Sequence, residues 1–151
     1  MVTQLLEAGV DKRVIDVYDP DLPAFLMYGP SLSLRPQRLV HDVPNCGYHM
    51  IFTPEHERRE RLFYATDTAT LDGIDAPGYD LYLIEANHTR EELESRARAK
   101  MEKGEFAYEV RAAANHLSQE QALDWLYQQM GPHSQYVFLH QHSERSKPNA
   151  Q

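Results

Sequence analysis

Residues 61–71, RLFYATDTATL, decide how the rest of the chain is read. An apolar run at 62–65 stops abruptly at Thr66-Asp67-Thr68. Its length and aromatic content read as a strand. A carboxylate at the end of a buried strand is costly unless something compensates its charge. Two readings are open at this point. Asp67 bonds its own loop in an Asx-type turn, or it faces a divalent cation.

Outward from that run, CGYHMIF (46–52) places Tyr48, Met50 and Phe52 on one face at period two. The charged segment TPEHERRE separates it from 61–66, so the two runs are expected to form an antiparallel hairpin. YDLYLIEA (79–86) is nearly continuous in apolar residues and predicts a strand covered on both faces. Before the hairpin, 13–18 (RVIDVY) and 24–29 (AFLMYG) read as strands. SLSLRPQRLVHDV continues the alternation, with Pro36 demoting its middle to an edge or a bend. TQLLEAG, near the start, reads as the end of a helix stopped by Gly9.

After residue 86 the signals turn helical. Thr89 and Glu92 form a capping box that opens a helix to about Lys103, with Gly104 ending it. Residues 105–115 fit helix or loop equally. Ser118 and Gln121 form a second capping box, followed by an apolar face of Ala122, Leu123, Leu126, Tyr127 and Met130. Gly131-Pro132 stops that helix, and QYVFLH (135–140) is a last strand. The sum is an α/β unit, a mixed β-sheet with flanking helices.

Composition narrows the function classes. The chain has 151 residues, is 42% hydrophobic and 25% charged, and carries a formal net charge of −8. That balance argues against a broad nucleic-acid groove working by charge alone. It leaves room for a phosphate substrate held through bound metal ions, which bring their own positive charge. No apolar run is long enough to span a bilayer, and no signal peptide precedes the first element. Cys46 is the single cysteine. A reducing, cytoplasmic setting with no membrane partner is therefore expected. Cys46 itself reads as a small packed residue.

Three polar residues stand where apolar elements end: His41, Asp67 and His116. Strand ends and short loops can converge at one rim of a sheet. Two imidazoles and a carboxylate suit zinc, manganese or iron(II), and leave coordination positions open for water. The plainer reading makes each of them an ordinary loop or strand-end residue.

A more specific signal comes from four segments taken together. LVHDVPNCGY (39–48), LFYATDT (62–68), DLYLIEANH (80–88) and NHLSQEQA (115–122) resemble successive motifs of the metallo-β-lactamase-fold hydrolases, in that family's order. They are most similar to the small bacterial and phage branch related to nucleases. VFLHQHSER resembles that branch's last core strand. The resemblance implies the C-terminal half of an αββα sandwich. It implies metal ligands at His41, Asp67 and His116, with Asp67 bridging two ions. It also implies catalytic roles for Asp67, Glu85 and His116, with Glu85 organising the site beside the metals. Zn2+ or Mn2+ is the expected cofactor. Phosphodiester hydrolysis, with nucleic acid a candidate substrate, is the expected chemistry.

One departure qualifies this. The family's His-x-His-x-Asp-His pattern occurs nowhere in the chain. The expectation is a partial domain over 1–143, begun late in the fold, with a disordered tail at 144–151. Its site would be incomplete and its hydrolysis weak or absent alone. A complementing N-terminal lobe, or self-association, would cover what the missing half leaves exposed. The alternative from another class is a non-catalytic interaction or regulatory module that keeps the three residues as relics.

Overall fold

The computed structural model of the chain describes residues 2–15, 17, 19–21, 23–104 and 109–141. The expected tail at 144–151, the start of the undecided 105–115 segment, and residues 16 and 18 of the first expected strand lie outside the described residues.

Six strands form one sheet whose spatial order is the sequence order: β1 (Leu26–Tyr28), β2 (Leu32–Arg38), β3 (Cys46–Phe52), β4 (Glu60–Ala65), β5 (Leu81–Glu85) and β6 (Gln135–Leu139). β1 through β4 pair antiparallel, and the expected hairpin is the β3–β4 pair. β4, β5 and β6 run parallel. Parallel neighbours need crossover connections. The one from β4 to β5 is an irregular segment. The one from β5 to β6 carries α2 (Arg90–Glu102), α3 (Glu109–Asn115) and α4 (Gln119–Gln129). A short helix, α1 (Val2–Glu7), precedes β1 and ends where Gly9 takes φ +83°.

Both capping boxes form as the sequence predicts. The Thr89 side chain accepts from the Glu92 amide, and the Ser118 side chain from that of Gln121. Residues 109–115 of the undecided segment are helical. Pro36 lies inside β2 opposite Tyr48, but β1 pairs only with 32–34. β2 is therefore an edge at Pro36, the setting in which a strand tolerates proline. Gly47 leaves room for the β4 backbone: a Cβ there would sit 2.4 Å from the Tyr64 carbonyl oxygen.

Three expectations are corrected. The run 13–18 does not start as a strand, because Lys12–Val14 form a 3-10 turn. Asp11 caps that turn by accepting from the Arg13 amide, and the Arg13 guanidinium bonds the same carboxylate. This local pairing overrides the β propensity of Val14 and Ile15. The apolar face of α4 is rotated from the expected one. Ala122, Trp125 and Leu126 are buried, with Met130 packed against them, whereas Leu123 faces out and Tyr127 is 90% exposed. Trp125 turns the helix because its large ring buries more apolar area than Tyr127 could while its N–H bonds the Ile74 carbonyl at 3.0 Å. Finally, β5 is not covered equally on both faces. Tyr82 and Ile84 are fully buried, while Leu81 and Leu83 are only partly so.

The core lies on one face of the sheet. Phe63 and Ala65 of β4 and Tyr82 and Ile84 of β5 pack against α4 and the segment holding Leu71, Ile74, Ala76 and Tyr79. The Tyr82 hydroxyl stays satisfied at depth, donating toward the Ala76 and Gln129 carbonyl oxygens and accepting from the Tyr79 amide. The opposite face presents Tyr28, Tyr48, Phe52 and Val137, all exposed.

Candidate metal centre

Parallel pairing brings the carboxyl ends of β4, β5 and β6 to one rim of the sheet. Glu85 is the last residue of β5, Asp67 follows β4 by two residues, and His140 directly follows β6. The fourth member, His116, comes from the α3–α4 turn. Backbone bonds from Asn87 N to Leu117 O (3.0 Å) and from Gln119 N to His88 O (2.8 Å) tie that turn onto the extension of β5. One ligand atom from each of Asp67, Glu85, His116 and His140 lies within 4.8 Å of the others.

The β2–β3 loop is stitched to the same rim. Ala69 N donates to Val40 O at 2.7 Å, and the Asn45 amide group donates to the Thr66 and Asp67 carbonyls at 2.7 and 2.9 Å. This brings His41 edge-on to His116, with ring centroids 5.3 Å apart. His41 is outside the group of four, but its Nε2 is buried and has no hydrogen-bond partner.

Glu85 is the pivot. Its residue is 0% exposed, a placement that demands compensation. Oε2 accepts from the Thr68 amide at 2.8 Å. Oε1 meets Nδ1 of His116 at 2.7 Å and Nδ1 of His140 at 2.9 Å. Asp67 Oδ1 lies 2.9 Å from His140 Nδ1 and 3.9 Å from His116 Nδ1. The Asp67 carboxylate thus points at imidazoles, and the Asx-turn reading gives way. The turn is held instead by Asn45 and by the Thr68 hydroxyl, which donates to the Thr70 carbonyl.

Two of the four residues sit in left-handed backbone conformations, Asp67 at φ +54° and His140 at φ +51°. Such conformations cost on the order of 1–3 kcal/mol outside glycine and persist where the surroundings over-determine them. Here both re-aim a side chain off the end of a strand toward the same point.

A cleft of about 330 Å³ opens beside the cluster, lined in part by His41, Asp42, Arg96, Arg111, Asn115 and His116. Burial pushes the His88 imidazole, also at the cleft, below its ordinary range. Arg111 hydrogen bonds hold the Asp42 carboxyl low. Cys46 lies beside the exposed sheet face, where burial pushes its thiol up, as suits a packed and unreactive residue.

The structure therefore brings His41, Asp67, Glu85 and His116 to one rim, and adds His140. Sequence reasoning passed over His140, although the pattern that singled out His41 and Asp67, a polar residue closing an apolar strand, fits QYVFLH equally well. The donor set is suitable for a divalent ion: two carboxylates, two imidazoles, and beside them a third ring whose buried Nε2 lacks a partner.

No family model matches the chain, and neither does any curated protein. Among solved structures, the crystal structure of the metallo-beta-lactamase fold protein YhfI from Bacillus subtilis is similar to it. The TM-score is 0.59 and the identity 16%, over 93% of this chain and 48% of that one. The chain spans about half the length of that protein. Its six-stranded mixed sheet with flanking helices has a metallo-β-lactamase-like fold.

Proposed function

We propose that the chain is part of a metal-dependent hydrolase, supplying one side of a metal site that acts on phosphodiesters, with nucleic acid the substrate class to test first. The observation that carries this is the convergence of Asp67, Glu85, His116 and His140 within 4.8 Å. The resemblance of the motifs to the nuclease-related branch supports the choice of substrate.

A zinc or manganese ion bound there supplies a Lewis acid and lowers the pKa of a coordinated water. The chain's own residues do the rest. Glu85 stays buried and orients both histidines through their Nδ1 atoms. Asp67, half exposed at the rim, turns its carboxylate toward His140 and His116 and is the residue assigned to bridge two metal positions. His116 lies between Glu85 and the cleft, and His41 stands beside it. A cytoplasmic setting fits the lone cysteine, and no helix among the described residues is long and apolar enough to cross a membrane.

The same proposal accounts for the open sheet face. Tyr28, Tyr48, Phe52 and Val137 are exposed on one side of a sheet whose other side is a closed core. A complementing lobe that supplies further ligands docks there and completes the site. The competing reading is an interaction module without turnover, which that same exposed face favours.

The experiment is uptake of zinc or manganese by the purified chain, followed by turnover of a generic phosphodiester. The expected result is near-stoichiometric metal that Asp67→Ala abolishes, with weak or no hydrolysis by the chain alone. Absence of bound metal under every condition overturns the metal site and favours the interaction module. Robust turnover lost in His116→Ala overturns the incomplete-site reading. Elution as a stable dimer replaces the complementing lobe with a second copy.

A further inference from the structure

The inner face of α2 is not apolar. None of its residues is fully buried, and only Leu93, Arg96, Ala97 and Lys100 are partly so. The i, i+3, i+4, i+7 spacing is that of one helix face. Two of those four positions carry cations. Lys100 is matched: its Nζ lies 2.8 Å from Oε1 of the buried Glu109, at the start of α3. Arg96 has no such match. Its side chain is 21% exposed and lines the cleft beside the metal cluster. It donates no hydrogen bond among the described residues. Nη2 stands 3.7 Å from Oε2 of Glu92, beyond hydrogen-bond reach, and that carboxylate is exposed, so the pair is worth little. Among the described residues Arg96 forms no ion pair with Glu109, whose Oε2 is buried without a partner.

The other charges of the two helices at the cleft are matched. Arg111 of α3 donates to Asp42 through Nε at 3.1 Å and through Nη2, and Lys100 is paired with Glu109. Arg96 is the surplus cation. A guanidinium drawn largely out of water without bonded partners is costly. Its planar fork of N–H donors matches the oxygens of a phosphate. Asp67 and Glu85 nearby repel a lone anion until an ion bound at the cluster reverses the local charge. A phosphate at Arg96 is therefore best supplied as part of a larger substrate. In a polynucleotide each diester is flanked by further phosphates.

We propose that Arg96 anchors an anion subsite: it holds a phosphate flanking the diester at the metal cluster, so that the substrate is a polynucleotide strand and not an isolated diester. The proposal rests on the metal reading for what stands at the rim, but not for the anion at Arg96.

The test is binding of a fluorescently labelled oligothymidylate to the full chain, read by anisotropy, with zinc and separately with EDTA. Wild type is expected to bind in both media, more tightly with zinc. Arg96→Gln should weaken binding about tenfold in both, and should flatten the slope of log K against log salt by about 0.7. Arg96→Lys keeps the charge without the fork and should recover part of the affinity. Arg98→Gln removes the same charge from the exposed side of α2 and should change neither quantity. Because α2 buries no residue, melts of all three variants should match wild type. Equal losses in Arg96→Gln and Arg98→Gln would reduce the effect to net charge and overturn the subsite. So would an unchanged Arg96→Gln protein, or a wild type that binds no strand in either medium. Inorganic phosphate that displaces the strand completely at matched ionic strength would overturn the assignment to a polynucleotide. If wild type takes up no zinc, the metal reading fails, and the difference between Arg96→Gln and Arg98→Gln in EDTA alone decides the subsite.

Discussion

The two faces of the sheet are made from the same strands and obey opposite rules. On one, Phe63, Ala65, Tyr82 and Ile84 are 0% exposed beneath α4. On the other, Tyr48 and Val137 are 37% and 48% exposed, although residues on both faces are apolar. The difference lies in what covers each face, not in strand propensity. One face is a core over β4 and β5, open only toward the sheet edges at Met27 and Tyr136. The other is apolar surface of the kind that marks an interaction site. The cluster of acidic and imidazole side chains lies at the rim between them, where strand ends free the side chains from the alternation.

The sharpest way to break this comparison is Ile84→Asp. An unpaired charge on the closed face is expected to cost about 4 kcal/mol or more, a large share of the ~5–15 kcal/mol that holds a domain of this kind folded. A soluble Ile84→Asp protein with a cooperative melt would place that residue wrongly.

The second test uses His49, also on the closed face, where its Nδ1 meets the Tyr79 hydroxyl at 3.0 Å. Burial, and secondarily the nearby Arg35 charge, lowers its pKa from 6.5 to about 4. The unfolded chain takes up a proton near pH 6.5, and the folded chain does not until about pH 4. The stability from this group is therefore complete above pH 6.5 and falls as pH drops through that window, by about 3 kcal/mol in all. Urea midpoints at pH 7.5 and 5 should separate, and His49→Gln should narrow the gap. A gap of the same size in the variant would assign the acid sensitivity elsewhere.

At the rim, Asp67→Gly removes both a left-handed side chain and a carboxylate close to Glu85. The metal-free protein should gain on the order of 1 kcal/mol, seen as a melting point raised by a few degrees, while losing metal. A loss of stability would mean the Asp67–His140 contact outweighs the backbone strain at Asp67. His41→Ala should harm metal uptake less than Asp67→Ala, and equal losses would contradict a bridging aspartate.

The smallest effect is expected on the open face. Val137→Asp should change the stability of the isolated chain by about 1 kcal/mol or less. A large loss would show that face to be covered within the chain itself.

How much was legible in the sequence varies with the range of the interaction. Capping boxes at Thr89 and Ser118, the β3–β4 hairpin and the polar stops after strands are local, and they read directly. The orientation of α4 did not, because Trp125 and Tyr127 are both plausible core residues until the position of the sheet is known. The run 13–18 misled because the Asp11–Arg13 clasp outweighed strand propensity. At the site, His41, Asp67, Glu85 and His116 could be named, from their places and from the resemblance. His140 closes a strand just as His41 and Asp67 do, but without the resemblance to mark it, it did not stand out from the other histidines.

By itself the sequence determined most of the strands, both capped helices, and that imidazoles and carboxylates stand where those strands stop. Only the tertiary structure decided that three parallel strands end together, that Glu85 rather than Asp67 is the buried pivot, and that His140 joins it. The reason is physical. Caps and strand alternation are set by neighbours a few residues away. Ligand convergence joins residues up to 73 apart, such as Asp67 and His140, through β4 and β6, which meet only by each pairing with β5, and nothing local to either residue encodes the other.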